Sequence, residues 1–197
     1  MKYPKLRELK EAIKALITGP YTTKYPFEPH VPFPKFRGKP EPSNDGCVGC
    51  GACAQACPAE AIKIEEKGGK RTLTWRYDIC IFCGQCQAVC ITGRGVKLGQ
   101  EFDLAVVDRT HARSGVEKEL VFCQKCGEAV TTREHLRWIY DRLGAKAFAN
   151  PTLILSATQP ETAGKQPEKD YIQRQDLIQI LGPHCRHEVL IKDLLGK

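Results

Sequence analysis

Two runs of four cysteines constrain this 197-residue chain more than any other feature of its sequence. In each run the cysteines are separated by two, two and three residues, and Pro58 follows the first run. The runs are Cys47, Cys50, Cys53 and Cys57, and Cys80, Cys83, Cys86 and Cys90. A loop with a thiolate at every third residue can hold three corners of an inorganic cubane, and the fourth corner needs a remote cysteine. The spacing therefore predicts two 4Fe-4S clusters.

The fourth cysteine of each run is predicted to bind the cluster of the other run. This exchange occurs in two-cluster bacterial ferredoxins, whose spacing the chain reproduces. It assigns Cys47, Cys50, Cys53 and Cys90 to one cluster, and Cys80, Cys83, Cys86 and Cys57 to the other. Two zinc sites are the alternative, but zinc knuckles use pairs of cysteines rather than three in a row plus a fourth. Ile91 stands where a proline would usually follow the second run, which leaves the ligands unchanged.

The sequence around the runs predicts short paired strands. Apolar and polar residues alternate in two segments on either side of a Gly-Gly turn, which is typical of a β-hairpin, and the pattern recurs after the second run. The four segments are 61–65, 72–77, 95–98 and 102–107. We therefore predict internal pseudo-twofold symmetry over residues 46–108, and the resemblance to two-cluster bacterial ferredoxins implies an α+β, ferredoxin-like domain.

Two segments precede this domain. Residues 1–19 are predicted to form an amphipathic anchoring helix, helical over 5–18, and residues 20–45 an extended strap that contains seven of the thirteen prolines. The apolar stripe of the helix is Leu6, Leu9, Ile13, Leu16 and Ile17, and the strap carries Tyr21, Tyr25, Phe27, Phe33 and Phe36. We expect the helix to lie on a membrane surface or in the groove of a membrane-bound partner, and the strap on a partner surface. Packing of both against their own domain is the alternative.

Residues 109–197 form a C-terminal extension with a second group of metal-ligand residues. Cys123 and Cys126, followed by Gly127, make a knuckle-type pair. Three thiolates and one imidazole complete a tetrahedral zinc site, which is structural because no open position remains. The predicted ligands of one zinc are Cys123, Cys126, Cys185 and His187, with His184 or His135 as alternative histidines. Inert or redox-active thiols are the competing interpretation. A helix is predicted over 128–143, a loose loop over 156–170 and a short helix over 171–180.

Charge and composition exclude several classes of protein. The formal net charge of +7 counts the cysteines as neutral, whereas two cubanes of about −2 each reduce it to roughly +3. The basic charge is therefore a poor argument for nucleic-acid binding. The sequence contains no secretory signal pattern and no run of about eighteen apolar residues. It also lacks a phosphate-binding loop, a dinucleotide fingerprint and a nucleophile motif.

The chain resembles a known family in three places. They are Tyr21-Thr22-Thr23-Lys24-Tyr25-Pro26-Phe27-Glu28-Pro29, Phe36-Arg37-Gly38-Lys39-Pro40, and the double cysteine run with Cys80-Ile81-Phe82-Cys83-Gly84. In these the chain is similar to the two-cluster subunit of group 4 membrane-bound nickel–iron hydrogenases, formate hydrogenlyase type. That subunit is similar in turn to the two-cluster subunit of NADH:quinone oxidoreductase. The resemblance covers roughly residues 1–110. Relatives usually end with a cysteine pair, of which Gly182 occupies the first position here.

The resemblance implies an electron relay without catalysis of its own. Electrons would pass from an electron-input subunit or ferredoxin, through both clusters, to the small-subunit cluster and the large subunit with its nickel–iron site. The implied location is the cytoplasmic face of the membrane, peripheral and bound to a membrane-arm subunit. The alternatives are the equivalent subunit of NADH:quinone oxidoreductase, a free ferredoxin-type carrier, and a redox-sensing regulator. The last would need a DNA-binding helix pair, which the sequence does not show.

Overall fold

The computed structural model describes residues 5–158 and 179–195. Contacts within the chain divide it into two units, Met1–Phe36 and Arg37–Lys197. The loop predicted at 156–170 and the helix predicted at 171–180 lie almost entirely outside the described residues. Within the described ranges, no helix is both long enough and apolar enough to cross a bilayer.

The first unit contains one helix, α1, over Leu6–Thr18, within the range in which the sequence predicts a helix. It ends at Gly19, whose φ of 74° is left-handed, and Pro20 follows. None of its residues is buried, and the whole apolar stripe is exposed. Residues 20–36 form turns without a helix or strand, and their five aromatic rings are also exposed.

The second unit is built around two antiparallel sheets with short helices between the strands. A four-stranded sheet has the order β2-β3-β5-β6, and β1 pairs with β4 in a two-stranded sheet. The strands are β1 Pro40–Pro42, β2 Ile62–Lys67, β3 Lys70–Arg76, β4 Val96–Leu98, β5 Arg113–Phe122 and β6 Ala129–Thr132. The helices are α2 Ala52–Gln55, α3 Gln85–Ala88, α4 Arg133–Leu143, α5 Pro151–Thr158 and α6 Pro183–Leu195. The mixed α+β class predicted from the sequence is confirmed.

The first predicted hairpin is present. β2 and β3 pair from Ile62↔Trp75 to Lys67↔Lys70. Gly68 and Gly69 connect them with φ values of 57° and 79°. Two successive positive φ values match the twist of the flanking strands, and glycine adopts them without steric cost.

The second predicted hairpin is wrong. Residues 102–107 form no strand, and β4 pairs instead with β1, which the sequence assigned to the strap. The register places Glu41 opposite Lys97, so opposite charges face each other across the pair. Pro40 and Pro42 lack amide donors, but a two-stranded sheet consists only of edges, which tolerate proline. The end of the predicted strap therefore belongs to the cluster-binding unit.

The sheet continues past residue 108, where the sequence placed a domain boundary. β5 pairs with β3 from Lys70↔Glu119 to Arg76↔Arg113, so the extension shares one sheet with the hairpin. The sequence pattern does not predict β5, although Val116, Lys118 and Leu120 are its alternating buried residues. A lysine at a buried position interrupts the apolar alternation that predicts a half-buried strand.

The helix predicted over 128–143 is wrong in its first part. Residues 129–132 form strand β6 on the edge of the sheet, and α4 begins at Arg133. Val130, Thr131 and Thr132 are β-branched, which favours a strand. The Thr132 hydroxyl accepts a hydrogen bond from the amide of His135 at 3.3 Å and so caps α4.

Three groups of buried side chains form the core of this unit. The first packs the β2–β3 hairpin against the cysteine loops: Cys53, Ile62, Leu73, Trp75, Val96 and Val116. The second lies between the sheet and α4: Val121, Leu136, Ala147, Leu153 and Ile180. The third contains two of the remaining cysteines: Cys123, Leu181, Cys185 and Val189. The first group is therefore the wall of the candidate cluster sites.

Candidate metal centres

Four cysteines line a first cavity next to the β2–β3 hairpin. They are Cys47, Cys50, Cys53 and Cys90. Three come from the first run and the fourth from the second, which is the combination the sequence predicts. Leu73, Trp75 and Val96 form the apolar wall of this cavity.

The other four cysteines of the runs line a second cavity. They are Cys57, Cys80, Cys83 and Cys86. Ile62, Trp75 and Leu98 are part of its apolar lining. The two cavities are similar in size. Trp75 borders both cavities.

The two cysteine loops have the same local geometry. Each continues into a single helical turn, α2 or α3, after a left-handed glycine. Gly51 follows Cys50 with a φ of 83°, and Gly84 follows Cys83 with a φ of 80°. A β-carbon at Gly51 would lie 3.0 Å from Ile64 Cδ1, and one at Gly84 would lie 3.1 Å from Leu98 Cδ1. Glycine is therefore required both by the turn and by the close neighbour.

Backbone amides donate hydrogen bonds to ligand sulfurs at equivalent places. The amide of Gly49 lies 3.4 Å from Cys47 Sγ, and that of Phe82 lies 3.5 Å from Cys80 Sγ. The amide of Ala61 donates to Cys57 Sγ at 3.3 Å. Such bonds stabilise negative charge on sulfur and influence the potential of a bound cluster.

Burial makes four of these thiols hard to ionise without a metal. It raises the pKa of Cys53 to about 12 and also raises the pKa of Cys47, Cys80 and Cys86. Burial also acts on Cys90, but its pKa is lowered because the Thr92 hydroxyl and nearby amides hydrogen-bond to the sulfur. Grouped buried thiolates need a cationic centre to offset their charge. Each cavity offers four thiols among mostly apolar side chains, the donor set that fits a 4Fe-4S cluster.

Two side chains, one from the hairpin and one from the extension, hold the first cysteine loop. The Thr132 hydroxyl donates to the carbonyl oxygen of Val48. Arg71 Nη1 donates to the carbonyl of Gly49 at 2.8 Å. The sequence does not predict these contacts, because the partners lie 84 and 22 residues apart and the spacing within a motif carries no such information.

Three more cysteines come together at the end of β5. Cys123, Cys126 and Cys185 have sulfur atoms within 4.8 Å of one another. Cys123 and Cys185 are buried and Cys126 is exposed. Gly127, with a φ of 79°, follows Cys126 in the turn to β6, and Cys185 lies in the first turn of α6. We call this group the thiol triad.

The thiols of the triad differ in acidity. Burial acts to raise the pKa of Cys123, but hydrogen bonds from backbone amides of Cys126, Gly182 and Lys125 lower it to about 7. Burial and hydrogen bonds to the other two thiols raise the pKa of Cys185 to about 12. The thiolate of Cys123 is therefore available near neutral pH, and a metal would have to displace the proton of Cys185.

The predicted histidine ligands lie elsewhere. His187 is exposed and lines a different cavity with Leu136 and Leu153. It follows Cys185 by two positions on α6, and residues at that spacing do not face the same side of a helix. His184 is exposed, and His135 Nδ1 lies 2.9 Å from Thr131 Oγ1. Of the four predicted zinc ligands, the structure brings together the three cysteines.

Comparison with known proteins agrees with the geometry of the two cavities. Residues 46–94 match the family described as 4Fe-4S dicluster domain. Formate hydrogenlyase subunit 6 of Escherichia coli (strain K12) is 36% identical over 124 residues, which cover 62% of this chain and 69% of that protein. NADH-quinone oxidoreductase subunit I 2 of Geobacter metallireducens is 37% identical over 112 residues, which cover 52% of this chain and 85% of that protein. The chain belongs to the iron–sulfur subunit family of these two proteins.

The 4Fe-4S dicluster match covers only one part of the chain, residues 46–94. The dicluster match spans both cysteine runs and the β2–β3 hairpin, and it ends before the thiol triad. In the membrane-bound sulfane sulfur reductase, an archaeal respiratory membrane complex, one chain is 28% identical with a TM-score of 0.41. That alignment covers 57% of this chain and 61% of the other.

Proposed function

We propose that this chain is an electron-transfer subunit that relays electrons through two 4Fe-4S clusters. Single-electron exchange is the chemistry that such clusters supply when bound. The observation that carries the proposal is the division of eight cysteines into two cavities, each with four thiols and three of them from one run. The proposed ligands are Cys47, Cys50, Cys53 and Cys90 for the first cluster and Cys57, Cys80, Cys83 and Cys86 for the second.

The residues around the cavities support rapid exchange between two sites. Cysteines of both cavities pack against the same hydrophobic group, which contains Leu73, Trp75 and Val96. Both proposed sites therefore share the β2–β3 hairpin as a common wall. The apolar walls limit water near the sulfur atoms. The backbone amides of Gly49, Ala61 and Phe82 already point at sulfur, so their dipoles need not reorient when the charge of a cluster changes.

Metal analysis and spectroscopy test this function. Protein purified without oxygen should contain about eight iron and eight sulfide per chain. Reduced protein should give the EPR spectrum of two interacting paramagnets. Four iron per chain, or one isolated paramagnet, would contradict the two-cluster proposal.

We further propose that the chain works within a membrane-bound nickel–iron hydrogenase complex of the formate hydrogenlyase type. Two features support a fixed partner. One relative is a subunit of formate hydrogenlyase by name, and the first unit leaves the stripe of α1 and five aromatic rings exposed. A helix of 13 residues is marginal in water unless its apolar face is covered. The proposed partners are the small and large hydrogenase subunits, a membrane-arm subunit and an electron-input subunit or ferredoxin, on the cytoplasmic face of the membrane.

The second candidate is the equivalent subunit of NADH:quinone oxidoreductase, because a relative of that name is 37% identical. Copurification in mild detergent separates the two. Nickel and hydrogenase subunits in the isolated complex support the first, whereas flavin-containing NADH dehydrogenase subunits support the second. Recovery of the chain without any partner would favour a free carrier and contradict both.

We also propose that the thiol triad binds one structural zinc ion. Three convergent sulfurs at the end of a strand, a turn and a helix are three-quarters of a tetrahedral zinc site. His187 is the fourth ligand predicted from the sequence, although it lines a different cavity and lies outside the triad. About one zinc per chain is expected, and the Cys123→Ser and Cys185→Ser variants should lose it. Full zinc occupancy in His187→Ala would remove that histidine from the ligand set, and zinc-free wild-type protein would remove the site.

A further inference from the structure

The indole N–H of Trp75 is buried without a hydrogen-bond partner. The side chain lies in β3 and is 2% exposed. Its Nε1 atom is shielded from solvent, and no acceptor is found for it among the described residues. A buried donor without an acceptor loses its bond to water and gains nothing in return, so indole nitrogens in protein cores usually find a partner.

The protein atoms around Trp75 offer few acceptors. The hydrophobic group that contains this ring otherwise consists of aliphatic side chains, Tyr77 and cysteines. Ser114 is the residue of β5 that pairs with Trp75, but its hydroxyl is hydrogen-bonded to the Tyr77 hydroxyl. The adjacent strand β2 places Ile62 beside the ring. Apart from the Tyr77 hydroxyl, which is bonded to Pro40 and Ser114, the side chains of this group offer only sulfur as an acceptor.

Trp75 borders both cysteine-lined cavities. We propose that its indole N–H donates a hydrogen bond to a sulfur atom of one of the two clusters and thereby raises the reduction potential of that cluster. The inference rests on the proposed two-cluster function. Reduction adds negative charge to the cluster, and a donor directed at sulfur stabilises the reduced form more than the oxidised form.

A purely structural role is the competing explanation, since a large buried ring fills space between the cavities. Trp75→Phe separates the two, because phenylalanine keeps an aromatic ring in the wall and removes the N–H. Trp138 on α4 provides a matched control: it lines neither cavity and its ring lies beside Arg142. Trp138→Phe is the same chemical change at a distance from the cysteines.

Redox titration followed by EPR is the first test. In Trp75→Phe, with about eight iron per chain retained, one of the two potentials should fall. The expected fall in potential is ~59 mV, which is a tenfold change in the reduction equilibrium of a one-electron couple. The other cluster, and both clusters of Trp138→Phe, should keep the wild-type potentials. Two unchanged potentials in an iron-replete Trp75→Phe protein would overturn the inference and leave the relay function intact.

A second measurement needs no substitution at Trp75. In the Trp138→Phe protein, Trp75 is the sole tryptophan, because the chain has two. When this protein is grown with ¹⁵N-indole-labelled tryptophan and reduced, pulsed EPR should detect a hyperfine coupling between one cluster and the labelled nitrogen. The absence of this coupling in iron-replete protein would refute the hydrogen bond. Protein without iron would refute the relay function, and the inference would fall with it.

Discussion

The ammonium group of Lys118 lies 2.7 Å from the carbonyl oxygen of Asn44, 74 residues earlier in the chain. The side chain is 8% exposed, and its Nζ is also 3.4 Å from Glu134 Oε1. Lys118 therefore links β5 of the extension to the segment that enters the first cysteine run. The positive charge of Lys118 stabilises the thiolate form of Cys47. Arg71 also donates to the carbonyl of Gly49, so two cations hold the first cysteine loop.

We predict that Lys118→Met lowers the potential of the cluster bound by Cys47, Cys50, Cys53 and Cys90. Removal of a buried positive charge destabilises the reduced, more negative cluster, and weak screening in the interior makes this effect larger than at the surface. EPR-monitored redox titration should show a fall of tens of millivolts in one cluster. Lys70→Met is the control, because Lys70 is exposed and pairs with Glu117 at the surface. Equal shifts in the two variants would contradict the prediction.

The exchange of the fourth cysteine can be tested with pairs of substitutions. Cys90→Ser combined with Cys50→Ser removes two ligands from one proposed cluster, so about four iron per chain should remain. Cys90→Ser combined with Cys83→Ser removes one ligand from each cluster and should impair both. Iron content and EPR measure the difference. If the protein with Cys90→Ser and Cys83→Ser kept about four iron per chain instead, each run would bind its own cluster.

Gly49 is predicted to be more sensitive to substitution than its counterpart in the second loop. Its φ is 70°, and a β-carbon there would lie 2.7 Å from Thr132 Cγ2. Phe82 occupies the equivalent place with a φ of 54°, so the second loop accepts a side chain where the first does not. Gly49→Ala should lower the stability of the holoprotein, by roughly 1–2 kcal/mol for the left-handed conformation alone, with a further cost from the clash.

Thermal loss of the cluster absorbance measures this effect. Thr132→Ser removes Cγ2 but keeps the hydroxyl that bonds to Val48, so it should partly rescue Gly49→Ala. Phe82→Gly should leave cluster content unchanged. If Gly49→Ala were as stable as wild type, the contact with Thr132 would not restrict the first loop.

Deletion of residues 1–36 is predicted to release the protein from its membrane complex without loss of either cluster. The deleted part is a separate unit, whereas Arg37, whose guanidinium donates to the carbonyl of Cys83 at 3.1 Å, is retained. Membrane fractionation and iron content measure the two effects. Ile13→Glu on the apolar stripe should weaken membrane association, and Lys10→Gln on the polar face is its control. Continued copurification of the truncated chain would contradict the role proposed for α1 and the strap.

The periodic parts of the sequence allowed the most reliable predictions. The heptad-like stripe of α1 and the Gly-Gly turn between β2 and β3 depend on local chemistry, and both elements are found where the sequence indicates. Strand β5 was missed because Lys118 occupies a buried position, and its compensating partners, Asn44 and Glu134, are distant in sequence. The hairpin expected at 102–107 failed because Val96–Leu98 pairs with Pro40–Pro42 instead.

The sequence by itself determined which cysteines are candidate ligands, because the spacing within each run puts three thiols on one loop. Only the tertiary structure decided the surroundings of those sulfurs. It placed Trp75 between the cavities, Lys118 and Arg71 beside one of them, and Cys185 with Cys123 and Cys126 but apart from His187. Such contacts join residues far apart in the chain, and their energies depend on burial, which a motif does not encode.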